Sequence, residues 1–84
     1  MKMNMYSVFD KKAEAFFQPY LAPTHGVGLR LFQQLAVDNT QNVGLYPEDF
    51  ELFHIATFEN SSALVEPVSP PLSLGLATQF KTEQ

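Results

Sequence analysis

The chain contains no cysteine, which removes disulfides and thiolate metal sites from the means of holding it together. Cations are nearly as scarce. Five Lys and Arg stand against nine Asp and Glu, a net charge of −4. Non-specific nucleic-acid binding rests on neutralised phosphates, and this balance disfavours it. A local patch is the remaining route, because the distribution of charge matters as well as its sum. No apolar run approaches the roughly 20 residues of a spanning helix. The N-terminus, MKMNMYSVFDKK, lacks the continuous apolar region of a signal peptide. The expectation is a cytoplasmic protein without membrane contact.

Chemistry is equally thin. His25 and His54 are the two histidines, and a metal site needs several ligands at suitable spacing. His54 falls among Leu52 and Ala56 on a strand face, where a packed, hydrogen-bonded role is expected. His25, beside a helix start, is expected in solvent. Glu48 and Asp49 are adjacent, so an extended backbone points them to opposite sides. The Gly26-Val27-Gly28 triplet lacks every other element of a phosphate loop. No catalytic residue, metal or cofactor is assigned, and no enzyme is expected.

What the chain does have is rings. Eight Phe and three Tyr bring much apolar area to a single domain, residues 1–84, whose size buries only about 60–65% of its unfolded surface. A homodimer that buries the surplus rings is the favoured outcome; a monomer with half-exposed rings is the alternative.

In chain order, Met3–Phe9 reads as a short strand, Asp10-Lys11-Lys12 as a charged turn, and Ala13–Ala22 as the returning strand. Pro19 puts that strand at an edge or a bulge. Pro23 stops it, and Thr24 is placed to cap a helix from His25. Residues 27, 28, 29, 31, 32, 35 and 36 then share one arc, with Arg30, Gln33 and Gln34 opposite, which predicts an amphipathic helix on a sheet. Gly26 and Gly28 weaken that helix, and close backbone approach is one reason for them. Val43–Asp49 reads as a connector turned by Gly44. Phe50–Phe58 alternates apolar residues on both faces, as a central strand covered on two sides does. Ala63–Val68 returns as a fourth strand, with Pro67 marking its end or an edge. After Ser69-Pro70-Pro71, residues 69–84 read as a proline-bounded C-terminal strand or extended tail, with Phe80 an anchor and KTEQ a frayed end. The predicted fold is α+β: a small antiparallel sheet of four to five strands with one amphipathic helix, in the order β-β-α-β-β.

Single-stranded nucleic acid is bound where rings stack bases and cations follow the backbone. Lys11, Lys12, Phe16, Phe17 and Tyr20 bring both into one hairpin, and Arg30 can join from the helix. The competing reading makes the rings core or dimer contacts and the lysines a solvated turn. On the residues alone, the second is favoured.

Four segments carry a family resemblance: Y-S-V-F-D-x-K-A over 6–13, F-x-Q-P-Y-L-A-P over 16–23, Y-P-E-D-F-x-L-F over 46–53, and A-T-Q-F over 77–80. Their order and spacing resemble the small nonstructural proteins of microviruses, in particular those of gokushovirus-type tailless single-stranded DNA phages. The resemblance implies a protein made in the infected bacterium that binds single-stranded DNA or assists its synthesis. Such proteins act when replication turns to making genomes for packaging. It brings no catalytic residues. On this reading the DNA contacts fall to Lys11, Lys12, Phe16, Tyr20 and Arg30, with a dimer bringing two sets together. The alternative partners are a viral replication or capsid protein, or a host factor, met without DNA contact.

Overall fold

A computed structural model describes residues 1–81. Five strands form one antiparallel sheet: β1 (Lys2–Asp10), β2 (Ala15–Phe16), β3 (Tyr20–Ala22), β4 (Phe50–Glu59) and β5 (Leu64–Leu76). The order is β2-β1-β4-β5, with β3 also paired to β1. Helix α1 (His25–Ala36) crosses from the third strand to a one-turn helix, α2 (Asn42–Leu45), and a 3-10 turn at Pro47–Asp49. A second 3-10 turn, Ala77–Phe80, closes the described chain. This is the α+β arrangement expected, with five strands and one main helix.

The helix starts where Pro23 and Thr24 placed it. Thr24 is extended and its hydroxyl accepts from the Val27 amide, satisfying one of the free donors of the first turn. Gly28, Phe32 and Ala36 form the buried stripe of α1, one turn apart. They meet Tyr6 and Val8 from β1, Ala22 from β3, and Phe50 and Leu52 from β4 in one core. Phe80 joins its edge, its ring 5.9 Å from that of Phe32.

The returning strand after the first turn is broken. Phe9 pairs with Phe16, whereas Tyr6 pairs with Tyr20 and Met5 with Leu21. The break at 17–19 therefore inserts one residue into the ladder, and a one-residue slip exchanges faces. Phe16 and Tyr20 share a parity in the sequence, yet Phe16 follows Phe9 and Tyr20 follows Tyr6 onto opposite faces.

Three expectations are corrected. The residues from Ala63 onward do not form two strands separated by prolines: β5 runs unbroken from Leu64 to Leu76 through Pro67, Pro70 and Pro71. It is an edge strand, and a missing N–H on the outward side costs no ladder bond. Val68–Pro71, which includes the cis Ser69-Pro70 peptide, bulges out between the pairs Ala56–Pro67 and His54–Leu72. The connector at 43–49, read as a turn at Gly44, is a helical turn followed by a 3-10 turn. The Leu45 and Tyr46 amides donate to Gln41 and Asn42 carbonyls to make α2, a turn too short to show a period in sequence. Lys81 is not frayed, since its ammonium donates to the carbonyls of Ala36 and Gly44 and to Asn39 Oδ1. It thereby takes up a free carbonyl at the end of α1. The remaining three residues of KTEQ lie outside the described chain.

Candidate nucleic-acid interface

Strand alternation sends Phe50, Leu52, His54 and Ala56 under the helix and leaves Glu51 and Phe53 on the other face. On β1, Phe9 alternates with the buried Val8 in the same way. The sheet face away from α1 thus receives Phe9 and Phe53, and the register adds Phe16 beside Phe9. The three rings form a triangle: Phe9–Phe16 centroids are 4.8 Å apart, Phe16–Phe53 5.7 Å and Phe9–Phe53 6.5 Å. These are tilted and edge-on contacts of the kind aromatic quadrupoles favour. The cluster is not sealed, for Phe16 is 49% exposed.

The basic turn adjoins this triangle. Asp10 ends β1, and its Oδ1 accepts from the Lys12 and Ala13 amides, an Asx-type turn. The Lys11 amide donates to the Asp49 carbonyl. The backbone is therefore fixed while both lysine side chains are exposed. The lysines thus follow the ring strand β1 directly in the chain, and Lys12 also lines the cleft described below.

Lys11, Lys12 and Phe16 all lie exposed in the segment that turns from β1 into β2. Tyr20 and Arg30 lie elsewhere. Tyr20 lies under the helix, its hydroxyl donating to the Gly28 carbonyl at 2.8 Å. Burial first, and the Tyr6 hydroxyl second, push its pKa up to about 12. Arg30 is exposed on the solvent side of α1, beyond the layer that separates it from Phe16. Phe9 and Phe53, which complete the triangle, are 44 positions apart, and cross-strand register alone joins them.

A second cluster lies under the start of α1. Tyr6 Oη and His25 Nδ1 share a hydrogen bond of 2.7 Å. The His25 and His54 rings meet edge to face at 4.7 Å, and Tyr6 and Tyr20 stack at 5.6 Å. His25 is accordingly half-buried and bonded, where a solvated ring was expected. The histidines come from different elements, so no local spacing announces them. His54 is packed as expected, but its buried Nε2 has no hydrogen-bond partner among the described residues. Burial, and then the neighbouring His25, hold its pKa below the usual 6.5, against a smaller opposing effect from the Ala56 backbone.

That shift has a direction. The unfolded chain takes up a proton at His54 before the folded chain does, so stability is full above about pH 6.5 and declines as pH falls below it. Urea midpoints should therefore fall between about pH 7.5 and 5.5, and His54→Leu should flatten the decline. A wild-type midpoint constant over this interval would overturn the assignment.

A cleft of about 490 Å³ is lined by Asp10, Lys12, Asn42, Tyr46, Glu48, Asp49 and Phe50. Three carboxylates against one ammonium make it unfavourable for a phosphate. Among the described residues, no group of three or more His, Cys, Asp or Glu side chains is placed to hold a metal. No helix there is long and apolar enough to cross a membrane.

Neither the curated proteins nor the solved structures contain a match to this chain. A family model does match, that of the Phage ORF5 protein, over residues 3–80. This spans all three strands of the open-face triangle, the helix and the closing 3-10 turn. The chain belongs to the Phage ORF5 protein family.

Proposed function

We propose that the chain is a non-enzymatic accessory protein of a microvirus-type phage. It binds single-stranded DNA in the host cytoplasm during genome synthesis or packaging. The observation that carries this reading is the Phe9–Phe16–Phe53 triangle on the uncovered sheet face, with exposed Lys11 and Lys12 in the turn that follows β1. Sheet-borne rings offer π faces to unstacked bases, each worth about 1–3 kcal/mol, whatever the sequence. Two lysines per site predict a modest salt slope, about −1.4 in log K against log salt. Low ionic strength, which leaves the lysine–phosphate contacts least screened, is the condition under which binding is seen.

The test is retardation or anisotropy of a labelled single strand. Binding should weaken as salt rises. Phe16→Ala should weaken it at least about fivefold, and Lys11→Glu with Lys12→Glu should abolish it. No binding by the wild type at low salt would sink the proposal.

A second reading makes the same face a protein contact, first of all with a second copy, or with a viral or host protein. The observation in its favour is how the sheet ends. One edge is two short strands around Pro19, and the other carries Pro67, Pro70 and Pro71. Both edges are blunted against strand addition, so self-association would use the open face, where Leu21 lies 41% exposed beyond the rings. Light scattering at micromolar concentration separates the two. A dimer mass with no DNA binding, reduced to a monomer by Phe16→Ala, favours the second.

A further inference from the structure

A carboxylate stands where a surface that merely attracts phosphates should have none. Glu51 is the cross-strand partner of Phe9 and lies two residues before Phe53, so the open face places it against two rings of the triangle. It is held there. Ser73, which pairs with Phe53 from β5, donates its hydroxyl to Glu51 Oε2 at 2.5 Å. The bond draws the carboxylate towards β5, beside Phe53, whose cross-strand partner is Ser73, and because a carboxylate has about four lone-pair sites, acceptor capacity is left over at the Phe53 end of the triangle.

Beside a stacking platform, an acceptor of this kind reads the edge of the base. Cytosine presents an amino donor at N4 and adenine one at N6, and carboxylates accept from such groups. Thymine presents carbonyl oxygens there, which a carboxylate repels. We infer that Glu51, positioned by Ser73, makes the open face prefer amino-bearing bases, cytosine over thymine. The inference rests on the single-stranded DNA reading of the same face. The carboxylate weakens phosphate attraction overall, and in return discriminates between bases that stack alike.

Oligo-dC and oligo-dT of equal length provide the test, since both are pyrimidines and differ little in stacking area. At low salt the wild type should bind oligo-dC at least about fivefold more tightly. Glu51→Gln keeps the size of the side chain and an oxygen for Ser73. It should bring the ratio towards one while raising affinity for oligo-dT, because a negative charge is lost. Ser73→Ala, which frees the carboxylate, should lower the ratio in part. A merely structural Glu51 would leave the ratio unmoved. Equal, salt-sensitive binding of both oligomers by the wild type would overturn the inference and leave DNA binding intact. Binding of neither would overturn both.

Discussion

Phe32→Ala is expected to remove about 3–5 kcal/mol of folding stability, which for 84 residues is a large share of the total. Domains hold about 0.05–0.15 kcal/mol per residue, and this chain has no disulfide to fall back on. Phe32 is fully buried at the centre of the helix stripe, touching the Phe80 ring on one side and the β1 and β4 core residues on the other. Among the described residues, the groups of this core come from α1 itself, a single sheet layer and two short turns, so the cavity left by truncation has little to collapse into it. A loss of this size lowers Tm by at least about 12 °C in a domain of 60–100 residues. Thermal or urea unfolding of the variant measures it directly. A loss below about 1 kcal/mol would mean that α1 contributes little to the core.

The same core shows which parts of the fold could be read from the sequence. Phe50–Glu59 and His25–Ala36 carry their periods within themselves, and Pro23-Thr24 marks the helix start by backbone chemistry that is local. Each was legible because cause and effect lie within a few residues. Of the ladder slip at 17–19 only the place was legible, since Pro19 marks an edge or a bulge, and not its one-residue consequence. Alternation assigns Phe16 and Tyr20 to one face, but the inserted residue sends Tyr20 inward to Gly28 and leaves Phe16 outside. Of the residues first chosen for DNA contact, those within the turn and β2 stay together for this reason, and those beyond the slip do not. The prolines of β5 pointed to an edge, as observed, but not to one strand running through all three. Proline excludes a central strand, yet β5 is an edge, and strand order is a tertiary fact. Neither the ring triangle nor the Tyr6–His25–His54 cluster has a spacing rule: the first needs the registers of β1 with both β2 and β4, and the second needs β1, β4 and the start of α1 brought together.

Gly28 and Gly26 look alike in the sequence and should respond to alanine with opposite signs. A Cβ at Gly28 would lie 2.7 Å from Cε2 and 2.8 Å from Cζ of Tyr6, closer than real Cβ contacts come. The ring cannot retreat easily. It is fully buried, its hydroxyl is bonded to His25, and Tyr20 and His54 pack against it. Moving the helix outward instead would stretch the bond from Tyr20 to the Gly28 carbonyl. Overpacking of this kind costs about 1–3 kcal/mol, more than the roughly 1 kcal/mol that alanine gains in helix propensity at most sites, so Gly28→Ala is expected to destabilise. At Gly26 the nearest atom to a Cβ is Thr24 Oγ1 at 3.8 Å, which is ordinary contact. Gly26→Ala should therefore stabilise by about 0.5–1 kcal/mol, through a less flexible unfolded chain. The cause can be isolated by a double-mutant cycle. If the Tyr6 ring is what resists, Gly28→Ala in a Tyr6→Leu background should cost less than in the wild type, with a coupling of about 0.5–3 kcal/mol. Equal costs in the two backgrounds, or a gain from Gly28→Ala alone, would show that the helix and β1 do not approach as closely as Gly28 permits.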